Sequence, residues 1–209
     1  MNEDNKMKKH IIGTTLALFL VGCGGGSTSP IDDEYVETPN YNYVPYNAPA
    51  IDEDTKNEYL TEINNARAER RKCGDTWFDA VPPLKWSTEL YNAAYEHNVD
   101  MAKADFFEHD GSGTVSDWTA QKLELGRGST VVERGMNSGY PSSFIGENIT
   151  ANSIYGETSI EESITTFLNS PPHCENIMDK DYDYVGIAFY DAYNEASEYD
   201  TYWTQDFGG

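Results

Sequence analysis

The stretch SIEESITTFLNSPPHCENIM (159–178) decides how the chain is read. Ser159, with Glu162 three positions later, makes a capping box. Ile164, Phe167 and Leu168 then follow at helical spacing, so a helix begins at Ser159. Pro171-Pro172 breaks that pattern and is followed at once by His173 and Cys174. Three segments around it, 143–151, 184–191 and 200–207, are rich in β-branched and aromatic residues, are separated by turn signals and read as strands. Upstream, Leu60, Ile63 and Ala66 at spacing three mark one face of a first helix, and Gly74 suits its end. Pro82-Pro83 interrupts the chain before Ser87, which is placed to cap a second helix bearing Leu90, Ala93, Ala94, His97 and Met101 on one side. Residues 111–142 are rich in Gly and Ser, with one helix expected around 116–125. Helices first, then strands interleaved with a helix, indicate an α+β fold and not a regular βαβ repeat.

The N-terminus reads as an address. Lys6, Lys8 and Lys9 precede an uncharged run from Ile11 to Val21, about half the length of a membrane-spanning helix. That is the build of a signal peptide, expected over residues 1–22. Leu20-Val21-Gly22-Cys23 resembles a bacterial lipobox, which makes Cys23 the expected lipidation site and mature N-terminus. Gly24, with no Asp after the cysteine, points to an outer membrane in a cell that has two. Residues 23–51 hold Gly and Ser, then acids, Tyr and four of the chain's nine prolines, with no helical or alternating period. They read as a tether, with an ordered, tyrosine-packed extension as the alternative for the Tyr-rich part. Residues 52–209 are the expected domain.

The chain has 209 residues, 14 Lys and Arg against 36 Asp and Glu, and a net charge of −22. So acidic a chain is not a general nucleic-acid binder, since phosphate affinity rests on basic residues. Its 15 Tyr, 8 Phe and 4 Trp argue against whole-chain disorder. Removing residues 1–22 takes away three Lys and two acids and leaves −23, so the acidity belongs to the exported part. With Cys23 assigned to lipid, Cys73 and Cys174 are left as disulfide candidates in an oxidising compartment.

Beyond the signal only three histidines occur: His97, His109 and His173. His97 lies on the apolar side of the second helix, where a buried, hydrogen-bonded role is expected. His109 and His173 follow helix ends beside irregular backbone, so they are able to converge in one cleft, ligate a metal or move protons near neutral pH. There is no H-E-x-x-H and no G-x-S-x-G. Asp179, Asp181 and Asp183 begin like a calcium loop, but Tyr184 stands at the glycine position and Tyr190 at the terminal glutamate.

Further stretches, taken together, carry a family resemblance. FFEHDG (106–111), GENIT (146–150), FLNSPPHCENIM (167–178), VGIAF (185–189) and YWTQDFG (202–208) resemble the CAP superfamily, in the family's order. That group contains cysteine-rich secretory proteins, insect venom antigens and plant pathogenesis-related proteins. Asn64, Arg67 and Leu84-Lys85-Trp86 are similar too, so the likeness covers about residues 55–209. The resemblance implies an α-β-α sandwich around a central antiparallel sheet, with a cleft holding two His and two Glu. On this sequence the family's residues fall on His109, Glu147 and His173, while Ser170 stands where the second Glu is expected. A hydroxyl does not replace a carboxylate as a base or as a partner for metal charge. The resemblance also supports a Cys73–Cys174 bridge, because bacterial relatives with CG after the first helix tend to carry HC here.

What this trio would do follows from residue type. His109 and His173 are the candidate ligands for Zn²⁺, the one cofactor anticipated, with Glu147 completing the set or orienting water. His109, Glu147 and His173 are likewise the candidate catalytic groups; Glu147 and Ser170 line the cleft. The expectation is a lipid-anchored, exported domain, on the outer membrane and facing the periplasm or the surface, that binds a small apolar or peptide ligand. The alternatives are a metal-assisted hydrolase using the same cleft, or an interaction module whose cleft is inactive.

Overall fold

A computed structural model gives the structure of residues 43–153 and 159–209. The signal peptide, Cys23 and the tether as far as residue 42 lie outside the described residues.

The first helix, α1 (Glu53–Arg67), starts where the Asp52 side chain accepts a hydrogen bond from the Thr55 amide, and it ends at Ala68. Gly74 is not its terminator. It occupies the left-handed region (φ +57°) in the turn between strands β1 (Arg71–Cys73) and β2 (Thr76–Phe78), an antiparallel hairpin. A glycine of that conformation serves a tight turn as well as a helix end, and the sequence alone does not separate the two. After the two-residue strand β3 (Lys85–Trp86), Ser87 caps α2 (Thr88–Ala104) by accepting from the Leu90 amide at 3.1 Å.

The Gly- and Ser-rich middle holds two helices instead of one: α3 (Trp118–Lys122), shorter than expected, and α4 (Val131–Asn137). A Thr130–Glu133 capping box begins the second of them. Strand β4 (Ile145–Asn152) follows, then α5 (Ile160–Asn169), whose Ser159–Glu162 capping box is present as read. Pro171 opens a further short helix, α6 (Pro171–Ile177), in place of a loop, since proline fits the first turn of a helix as well as it ends one. Strands β5 (Tyr184–Asp191) and β6 (Thr201–Gly208) complete the chain.

The sheet order is β3-β5-β6-β4, with β5, β6 and β4 antiparallel and the short β3 parallel to β5. Alternation along the strands divides the core in two. Val185, Ile187, Trp203 and Phe207 point toward α1, α5 and α6, where Ile63, Phe167 and Ile177 are buried with them. Ile149 and Tyr202 point the other way, onto Met101 and Ala102 of α2. Helix α2 lies so close over β5 that a Cβ at Gly186 would strike the Leu90–Tyr91 backbone. The result is an α+β sandwich, helices on both faces of a central sheet.

Two polar residues of α1 tie the layers together. Asn64 exchanges hydrogen bonds with the Leu84 backbone, at 3.0 and 2.7 Å. Arg67 is fully buried and donates to the carbonyls of Pro82 (2.8 Å), Ile177 (2.6 Å), Asp179 (2.9 Å) and Tyr182 (3.3 Å). Burial pulls its guanidinium down to about 10, still charged at neutral pH. Ahead of α1, the Val44 backbone bonds both ends of the Asn137 amide at 3.0 Å, and Tyr46 stacks on Tyr95. Val44 and Tyr46 are in this way held against α4 and α2. Among the described residues no helix is long and apolar enough to cross a membrane.

Cys73 of β1 and Cys174 of α6 are joined by a disulfide, with Cα atoms 5.5 Å apart and a sequence separation of 101. Closing so long a loop stabilises the fold by on the order of 4–5 kcal/mol in the chain-entropy model. The double variant Cys73→Ala, Cys174→Ala is expected to lose on that order in a denaturant titration. A loss under about 1 kcal/mol would show that the bridge is incidental.

Candidate functional site

The site is built on edge strand β4. Glu147 projects from it toward α2 and α4, and its side chain is only 2% exposed. Oε2 accepts from Nη2 of Arg134 at 2.7 Å, and Oε1 accepts from Nδ1 of His109 at 2.9 Å. Burial by itself would keep this carboxyl protonated. Arg134, the nearby His97 and the His109 hydrogen bond outweigh it and hold the group below the usual carboxylate range.

Arg134, on α4, is itself buried. Its Nη1 donates to the Ser129 carbonyl (2.9 Å) and its Nη2 also to the His109 carbonyl (3.0 Å). One guanidinium thus fixes both the carboxylate and the backbone of the histidine that the carboxylate holds. His109 sits in the loop after α2 with its side chain 59% exposed. Because a carboxylate only accepts, Nδ1 of His109 carries the proton and Nε2 faces outward. The hydrogen bond to Glu147 raises the proton affinity of His109, against a smaller effect of burial.

His97 is the buried, hydrogen-bonded histidine expected. Its Nε2 donates to the Glu108 carbonyl at 2.9 Å and lies 3.9 Å from Glu147 Oε1. Burial, then the charge of Arg134, depresses it to about 4, so it stays neutral. Glu96, also on α2, accepts from the Thr119 amide (2.6 Å) and hydroxyl (2.9 Å), and burial lifts it to about 7. Asp206 stands directly across from Glu147 in the β4–β6 register, fully buried, and burial followed by the charge of Glu147 raises it well above the usual range.

His173 arrives from the other side of the sheet. Its carbonyl accepts from Nδ2 of Asn148 at 3.0 Å, and Asn148 points to the face opposite Glu147. Its ring packs edge-on against Phe167, 5.4 Å between centroids. Half-buried, it is pushed down by desolvation and then by the charge of His109, so it is the neutral imidazole of the two. Ser170 lies at the junction of α5 and α6, where its side chain caps neither helix. Glu162 is spent on the α5 cap, and Glu161 is exposed in the same turn.

The expected trio thus divides into a bonded pair, His109–Glu147, and a third member, His173, which enters from α6 with its carbonyl held by Asn148 and its ring near enough to His109 to feel that charge. Arg134, Glu96 and Asp206 were not anticipated. A charge inside an apolar strand or helix was the signal available for each. Among the described residues no group of three or more His, Cys, Asp or Glu side chains forms a metal-holding cluster. Glu147 is buried and bonded to Arg134 and His109, which leaves the imidazoles of His109 and His173 to donate. That falls short of the three or four protein ligands of a zinc centre. Glu147 orients His109 and is not placed to complete a metal's ligand set.

Residues 60–207 match the family model for CAP, the cysteine-rich secretory protein family. An outer surface protein of Borrelia burgdorferi has a similar fold, at 19% identity and a TM-score of 0.51, covering 76% of this chain and 95% of that one. An extracellular protein containing an SCP domain from Bacillus anthracis is 19% identical with a TM-score of 0.45, covering 77% of this chain and 44% of that one. No curated protein matches.

Two outcomes are expected. Glu147→Gln leaves Arg134 buried without its counter-ion and lowers stability by roughly 3–5 kcal/mol, whereas the solvent-facing His109→Ala costs much less. Equal losses in denaturant titrations would show that Arg134 does not depend on Glu147. The second concerns pH. His97 is protonated in the unfolded chain below about 6.5 but in the folded one only below about 4. Its contribution is therefore complete above pH 6.5 and is lost as pH falls toward 4, at up to about 1.4 kcal/mol per unit. The stability difference between wild type and His97→Gln should shrink over that window. A difference independent of pH would mean that His97 is charged when buried.

Proposed function

The chain belongs to the CAP, cysteine-rich secretory protein, family, and we propose that it is an exported, lipid-anchored member that binds a small apolar or peptide ligand beside His109 and His173. Export and anchoring rest on the basic start, the short apolar run and Cys23 at the end of a lipobox-like stretch. The outer-surface description of the similar Borrelia burgdorferi structure agrees with that placement.

The observation that carries the binding reading is the state of Glu147. A carboxylate whose side chain is 2% exposed and already bonded to Arg134 and His109 is out of reach of a substrate water. It acts by fixing an imidazole whose free edge faces solvent. His109 held this way, with its proton affinity raised, presents a rigid donor to an acceptor oxygen such as a carboxylate or peptide carbonyl. His173, neutral and backed by Phe167, offers a second anchor beside apolar surface. A few oriented polar groups in an apolar setting are what a ligand site needs. With Ser170 in place of a carboxylate, the residues supply no second acid for hydrolysis.

The test is a calorimetric titration of the full chain with a long-chain fatty acid and with a short unstructured peptide. Wild type is expected to bind at least one of them, and His109→Ala to bind it roughly tenfold or more weakly, the worth of one charge-assisted hydrogen bond. For the fatty acid, affinity falls as pH rises past the elevated pKa of His109 and the imidazolium is lost. Silence with both probes refutes the reading. Peptide cleavage abolished by His109→Ala replaces it with the hydrolase.

A further inference from the structure

We propose that Asp206 is the protonated half of a Glu147–Asp206 carboxyl pair, donating its proton across β4 and β6 to Glu147 and so acting as a positioning residue for His109. The two side chains are register partners on adjacent antiparallel strands and therefore share a face. Asp206 is fully buried, and neither of its oxygens has a hydrogen-bond partner among the described residues. Its neighbour on the other side, in β5, is Gly186, which brings no side chain.

The charged and titratable groups that face this pair come from three elements. Arg134 comes from α4, Glu96 and His97 from α2, and His109 from the loop after it. Arg134 is the one permanent cation among them, and its bonds go to Glu147, the His109 carbonyl and Ser129. Two carboxylates side by side in a water-excluded site with a single guanidinium do not both ionise. Glu147 receives two donors and Asp206 none, so the negative charge settles on Glu147 and the proton on Asp206. An ionised Asp206 would have nothing to accept from, whereas a protonated one faces an acceptor in Glu147. Stabilised from His109, Arg134 and Asp206 together, Glu147 stays a fixed anion while the exposed imidazole gains or loses its own proton. The pair uses no ligand, so it stands or falls independently of what the cleft binds.

The experiment reads protonation directly in the full chain. With carboxyl ¹³C labelling, the Asp206 Cγ resonance at pH 7 is expected at the position of a protonated acid. A carboxylate resonance there overturns the proposal, and the measurement needs no variant. In Asp206→Asn, which mimics the neutral acid in shape and in having a donor, the NMR-titrated pKa of His109 is expected to move by less than about half a unit. A fall of half a unit or more would mean that a negative charge had been removed, and would also overturn it.

Discussion

The buried ion pair between Arg134 and Glu147 is the constraint on which the site depends. A guanidinium taken fully out of water is costly unless its donors find acceptors; Nη1 and Nη2 of Arg134 do, while Nε has none among the described residues. Here the acceptors come from three separate pieces of chain: Glu147 on β4, the His109 carbonyl after α2, and Ser129 ahead of α4. Bonding those two nitrogens ties together a strand, a loop and a helix start. His109 benefits twice, since its backbone and its ring are held by the two members of the same pair. Its exposed nitrogen is thus rigid although it lies in a loop, where mobility is otherwise the rule.

What the sequence showed and what it hid follows from the range of the interactions. Caps are local. Ser87 and the Ser159–Glu162 box stand in the structure as the residues spelled them, and the same signature at Thr130–Glu133 was present but lay in a Gly- and Ser-rich stretch read as one helix and loop. Strand limits held to within a residue or two because β-branched and aromatic runs mark buried strands strongly. Gly74 and Pro171 misled because each residue type serves both a helix boundary and a neighbouring structure. The electrostatic partners were beyond reach. Nothing local to Arg134 names Glu147, 13 residues on, and nothing in YWTQDFG says that Asp206 faces a second carboxyl. Those are facts of strand register, which periodicity does not supply.

The family resemblance supplied His109, Glu147 and His173 but not their division of labour. Read as a ligand set, the three are equivalent donors. In the fold they are a held cation-former, its buried holder and a neutral imidazole reached across the strand. The distinction arises from sheet alternation. Glu147 and Asn148 are neighbours in sequence, so they face opposite sides of β4: Glu147 holds the ring of His109, and Asn148 holds the backbone of His173.

That arrangement puts the spacing of the two imidazoles under two independent restraints. On the side of α2 and α4 the Arg134–Glu147 pair sets the position of His109. On the side of α1, α5 and α6 the Cys73–Cys174 bridge anchors α6 one residue from His173, and Arg67 holds the end of that helix through the Ile177 carbonyl. One restraint is electrostatic and weakens when Glu147 is neutralised. The other is covalent and indifferent to pH. Acid first protonates His109, which strengthens its bond to Glu147, so the electrostatic restraint lasts until Glu147, held below the usual carboxylate range, is itself neutralised.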